Sequence, residues 1–160
     1  MQGDIVACID GDSYASPKWL EKIAVPLIEN QKVAITAGYV VVENTLWSRI
    51  TSFWQFVILR KILRMRTAQF AWGSNFACRK TDYIKVGGIE PIYTLKQSLG
   101  LHFWAEDFYL SRALMKVGSI TFVMRAKVFT RLPAWKLNIA TAPLREWQED
   151  NKKLLTYFKS

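Results

Sequence analysis

Residues 4–10, DIVACID, form a nearly continuous apolar run that ends in an acid. Such a run has no polar face to turn to water, so it reads as a strand covered on both faces, and it commits the chain to a layered architecture. Pro17 opens a helical pattern at its first turn. Trp19, Leu20, Ile23, Ala24, Leu27 and Ile28 follow at helical spacing, and Pro26 should kink or shorten that helix.

The alternation continues down the chain. KVAITAGYVVV (32–42) is β-branched and strand-like. Residues 45–65 place Leu46, Ile50, Phe53, Trp54, Val57 and Ile58 on one helical stripe, with Arg60, Lys61 and Arg64 at the C-terminal end, where a helix dipole favours cations. NFACR (75–79) is a short strand. TDYIKVGG is a short helix with Thr81 as its N-cap, stopped by Gly87 and Gly88. A loop runs to about residue 104. Residues 106–118 form a helix with Leu110, Leu114 and Val117 inward and Gly118 as its C′ stop. ITFVMRAKVFT offers one or two strands. Pro143 starts a last helix with Leu144, Trp147, Asn151, Leu154 and Phe158 on one side. Strands alternating with helices predict an α/β fold, a mostly parallel or mixed sheet flanked by helices. No internal repeat or low-complexity linker divides residues 1–160. They read as one domain or part of one, with a core over about 1–130 and a helical segment over 131–160.

The chain has 160 residues, 51% of them apolar and 14% aromatic, which is enough to bury a core. A net charge of +9 suits an anionic partner such as a nucleotide or a phospholipid surface, and also suits a basic protein with no such partner. The cations are scattered and no nucleic-acid motif is present, so no nucleic-acid partner is expected. Cys8 and Cys78 lack metal-ligand spacing and read as free thiols of a reducing, cytoplasmic compartment. The start MQGDIVACID lacks a basic segment followed by an apolar one, so it does not read as a secretory signal. No apolar stretch reaches the roughly 18 residues of a membrane helix. FWQFVIL (53–59), interrupted by Gln55 and followed by Arg60 and Lys61, suits a segment lying on a membrane rather than crossing it.

Two acidic pairs could carry chemistry. Asp10 and Asp12 close the first strand, at the strand end where open α/β sheets place ligands, and alternate residues of an extended chain point the same way. Carboxylates so placed suit Mg²⁺ or Mn²⁺ shared with substrate phosphates. Asp-Gly-Asp-Ser is equally good turn chemistry. Glu106 and Asp107 suit a helix start on dipole grounds alone, but HFWAED sets a histidine and two aromatics beside them. Between the pairs, FAWGSNFACRK suggests a bend at Gly73, Ser74 and Asn75, with polar groups open to a ligand. Trp72 there either stacks on a sugar or packs in the core. His102 has no second histidine or cysteine near it and reads as a loop residue.

Together these segments resemble the inverting family 2 glycosyltransferases of GT-A fold. ACIDGDSYASPKWLEKI is similar to that family's Asp-x-Asp strand end. GSNFACRKTDYIKVGGIEP is similar to its Gly-x-Asn-x-Ala-x-Arg-Arg segment. WAEDFYLSRALMKVGSITFV is similar to its Glu-Asp motif. The three occur in the family's order over residues 4–123. The resemblance implies transfer of a sugar, with inversion, from a nucleotide-diphosphate sugar, a UDP-sugar first among them, to an acceptor hydroxyl. Asp10 would lie near the ribose and diphosphate, and Asp12 would ligate the bridging Mg²⁺ or Mn²⁺. Asp107 would be the general base and Glu106 its support. Trp72, Gly73 and Asn75 would shape the donor or acceptor pocket. The acceptor would be a sugar, a polysaccharide or a lipid-linked molecule, handled at the cytoplasmic face of a membrane with peripheral contact. The family's nucleotide-base strands precede its Asp-x-Asp motif and are absent ahead of residue 4. The resemblance therefore implies an incomplete GT-A fold, the C-terminal part of a catalytic domain that works within a longer chain. PLREWQEDNKK places Arg145 and Trp147 where members with lipid or growing-chain acceptors carry Gln/Arg-x-x-Arg-Trp, but with different spacing. Trp147 would be the acceptor-side residue. A membrane-surface module without catalysis, or an inactive remnant of the family, is the alternative reading.

Overall fold

The computed structural model describes residues 3–43, 46–47, 50, 53–54, 57, 71, 75–101, 106–131 and 142–159, and only the backbone of 142–148. Five strands form one mixed sheet: β1 (Ile5–Ile9), β2 (Ser13–Ala15), β3 (Val33–Val42), β4 (Asn75–Arg79) and β5 (Ser119–Thr130). Their spatial order is β1-β4-β3-β5-β2. β4 is antiparallel to both β1 and β3, β3 and β5 are parallel, and β2 pairs antiparallel with the end of β5. β1, β3 and β5 therefore point the same way, and their carboxyl ends share one end of the sheet.

The strand expected to be covered on both faces is not β1. Its residues 5–8 are half-buried, Ile9 is exposed, and among the described residues only β4 pairs with it. That covered strand is β3, buried without a break from residue 33 to 39. An apolar run measures the hydrophobicity of a strand but not its place in the sheet. Helix α1 (Trp19–Glu29) packs Ile23 and Leu27 over Val33, Ala77 and Ala126. It runs unbroken through Pro26. Helix α4 (Glu106–Met115) packs Leu110 and Leu114 over Ile35, Ala37, Phe76 and Cys78. Successive strand residues face opposite sides, so the two helices cover opposite faces.

Helix α2 (Lys80–Lys85) begins after Arg79. Thr81 lies inside it and is exposed, so the expected Thr81 cap is not formed. Gly87 and Gly88 do end the turn, with φ of 80° and 62°. The stretch expected to be a loop to residue 104 contains helix α3 (Glu90–Leu99), which Gly100 closes in the left-handed region. Its sparse apolar residues, Ile92, Leu95 and Leu99, join a second cluster with Phe108, Tyr109 and Leu154. Leu154 comes from the last helix, α5 (Ala142–Tyr157). Gly118 is not left-handed. Its lack of a side chain allows close approach to β3, where a Cβ would meet the Lys32 carbonyl at 2.6 Å. ITFVMRAKVFT lies in one strand with a break in register, from Gly38 opposite Val123 to Tyr39 opposite Lys127. Among the described residues no helix is long and apolar enough to cross a membrane.

Candidate active site

Asp10 and Asp12 lie on the turn that leaves β1, and both are exposed. The turn is closed by the Ser13 N–H donating to the Asp10 carbonyl at 3.0 Å, and the Ser13 hydroxyl reaches Asp12 Oδ1 at 3.3 Å. β1 occupies one edge of the sheet and β2 the other. The two acids therefore sit where the chain crosses the sheet's carboxyl end.

Asn75 begins β4 directly opposite Ile9, beside this turn. The open polar group expected there is instead fully buried. Its Nδ2 donates to the carbonyls of Tyr39 (3.1 Å) and Ala126 (2.9 Å), and its Oδ1 accepts the Trp19 indole N–H at 2.9 Å. The amide thus bridges β3 and β5 at their break in register and ties α1 to both. In the sequence this residue looks like part of a polar bend. In the fold it supports the sheet end beneath the acids.

α4 brings the second pair to the same end. It feeds directly into the start of β5, so it runs back along the sheet and its N-terminus lies at the carboxyl ends of the parallel strands. The Asp107 carboxylate accepts its neighbour's N–H, from Phe108, at 2.7 Å and is half-buried, whereas Glu106 is exposed. One turn further on, the buried Ser111 hydroxyl accepts the Ala71 N–H at 2.8 Å. Residue 71 is thereby held against α4, four residues before β4 starts.

Trp72, Gly73, His102 and the side chain of Trp147 lie outside the described residues. Sequence reasoning missed Tyr14 and Glu43. The Tyr14 hydroxyl donates to the Glu43 carboxylate, and its ring stacks on Phe129 with centroids 5.2 Å apart. The available signal was spacing: Tyr14 lies two residues beyond Asp12 on an extended segment. The thiols belong to the core rather than the site. Burial raises the pKa of Cys8, and burial, with Cys8 and Asp82 adding to it, pushes Cys78 up to about 12. Both stay protonated at neutral pH and are poor nucleophiles.

Among the described residues no three His, Cys, Asp or Glu side chains gather into a metal-holding set. Two exposed carboxylates on one turn nevertheless fit a hard cation that takes its other ligands from water and substrate phosphates.

Residues 1–87 of the chain match the family model described as glycosyl transferase family 2. The matched region includes Asp10, Asp12 and Asn75, and it ends before Glu106 and Asp107. No curated protein matches the chain.

Proposed function

We propose, for a chain that belongs to glycosyl transferase family 2, that the carboxyl end of this sheet transfers a sugar from a nucleotide-diphosphate donor to an acceptor hydroxyl with inversion. The mixed sheet flanked by helices is consistent with part of a GT-A fold. The observation that carries the reading is topological. The Asp10–Asp12 turn, the start of β4 and the start of α4 all reach the same end of the sheet, although they come from distant parts of the chain.

Asp12, with Asp10 beside it, would hold Mg²⁺ or Mn²⁺ together with the donor diphosphate. When bound, that ion neutralises charge on the diphosphate as it departs. Asp107 takes the proton of the acceptor hydroxyl as its oxygen bonds to the anomeric carbon and the bond to the diphosphate breaks. A single base on the acceptor side suits one direct displacement, which inverts the anomeric centre. Glu106 supports the base. Trp72 and Gly73 would shape the sugar pocket, and Trp147 would be the acceptor-side residue. Asn75 contributes by holding the sheet end rather than by contacting the donor. We take the donor to be a UDP-sugar, with a hexose as the transferred group, and the acceptor to be a sugar, a polysaccharide or a lipid-linked molecule.

Calorimetry with UDP and Mn²⁺ tests the donor half of the site. Binding should be seen with the unaltered chain and lost with Asp12→Ala. Asp107→Asn should keep that binding while transfer falls by about 10²-fold or more. Transfer retained in Asp107→Asn overturns the base assignment. Nucleotide binding that ignores Asp12→Ala overturns the metal assignment.

A further inference from the structure

Residues 46, 47, 50, 53, 54 and 57 are helical. At 100° per residue they fall on a single stripe. Leu46, Trp47, Ile50, Phe53 and Trp54 are nevertheless exposed, between 40% and 75%. An isolated exposed apolar residue needs no explanation, whereas five on one helical face mark a binding surface. Apart from Phe56, the intervening residues 48, 49, 51, 52 and 55 are polar, so the segment is amphipathic by sequence.

Charge identifies what covers the stripe. Residues 44–66 contain five lysines and arginines, Arg49, Arg60, Lys61, Arg64 and Arg66, and no aspartate or glutamate. The other 17 cationic side chains face the chain's 13 acids. Five of the nine net positive charges therefore belong to the stripe and the residues that follow it. A second copy of the chain would bring two such segments together and repel. A surface that is apolar beneath and anionic on top matches both properties. Tryptophan rings sit well at that boundary, because the ring is apolar and the indole N–H can still reach a polar group. We propose that the 46–57 stripe docks this protein in the plane of an anionic lipid surface, with Trp47 and Trp54 as its anchors. The segment lies along the interface with its apolar face inward and its cations near the headgroups. The glycosyl-transfer reading is not a premise of this proposal.

The test is co-sedimentation of the 160-residue chain with vesicles of phosphatidylcholine alone or with added phosphatidylglycerol. Binding to the anionic vesicles should be at least about tenfold tighter than to the neutral ones and should weaken as salt shortens the screening length. Trp47→Ser combined with Trp54→Ser should reduce binding by about tenfold or more, because both interfacial anchors are removed. Circular dichroism checks that this variant is folded. If it is not, Leu46→Ser, at the most exposed of the five positions, takes its place. Nucleotide binding by the same variants should be unchanged, which separates failure here from failure of the transferase reading. No binding to anionic vesicles, or equal binding by the serine variants, overturns the proposal. So does a dimer that the serine substitutions dissolve, since the stripe would then be a protein interface.

Discussion

Gly38 and Asn75 are far apart in sequence but form one device. A Cβ on Gly38 would lie 2.3 Å from Asn75 Oδ1 and 2.4 Å from the Ala126 carbonyl oxygen. The glycine is needed because another residue's amide occupies the space above it in the middle of a buried strand. Gly38→Ala should therefore destabilise the fold by about 1–3 kcal/mol through overpacking, since a backbone oxygen cannot move aside. Asn75→Ala should cost a similar amount for a different reason, because it leaves buried carbonyls and an indole N–H without their partner. Thermal melts of the two variants check this, and unchanged midpoints would remove Asn75 from the support of the sheet. The sequence could not reveal the arrangement. The carbonyls that Asn75 serves lie 36 and 51 residues away, and the stretch Gly-Ser-Asn has the same local chemistry whether its amide points outward or inward.

At the scale of elements, α1 shows how a helix from one segment is completed by another. Its last turn carries no basic residue. The Arg79 guanidinium, at the end of β4, donates to the carbonyls of Leu27 and Asn30 and to that of Val33 at 2.6 Å, while Asp82 pairs with it at 3.2 Å. One planar group thus satisfies the end of α1 and the start of β3, using a fork geometry that lysine lacks. Arg79→Ala should cost about 2 kcal/mol or more, and Arg79→Lys should restore only part of it. Urea unfolding of the two variants measures the difference, and equal stability would rule out the fork. The helices α1, α4 and α5 were legible from their apolar spacing. Ile92, Leu95 and Leu99 of α3 also recur at helical spacing, but so few apolar positions left the reading open until Leu154 and Tyr109 supplied the surface they pack on.

At the scale of the molecule, β1, β3 and β5 share a direction, while β4 runs against them. That arrangement collects a strand end, a strand start and a helix start at one place. α5 closes the structure from outside the sheet. Its Leu154 is fully buried in the cluster that contains Phe108, next to Asp107. Leu154→Ala should lower stability by about 2–5 kcal/mol. Hydrogen exchange should also quicken at the start of α4, which is the sharper test. Exchange that changes only within α5 would separate the last helix from the acidic helix start.

The sequence by itself determined the α/β class, most of the helices and strands, and the two acidic pairs, because periodicity and turn chemistry are local properties. It placed Asp10 and Asp12 at a strand end and Glu106 and Asp107 at a helix start. Only the tertiary structure decided that β3 rather than β1 is the covered strand, that Asn75 and Arg79 serve the scaffold, and that the 46–57 stripe is exposed. Those outcomes depend on strand order and on which surfaces remain uncovered. Both are set by contacts between residues tens of positions apart, which no local pattern contains.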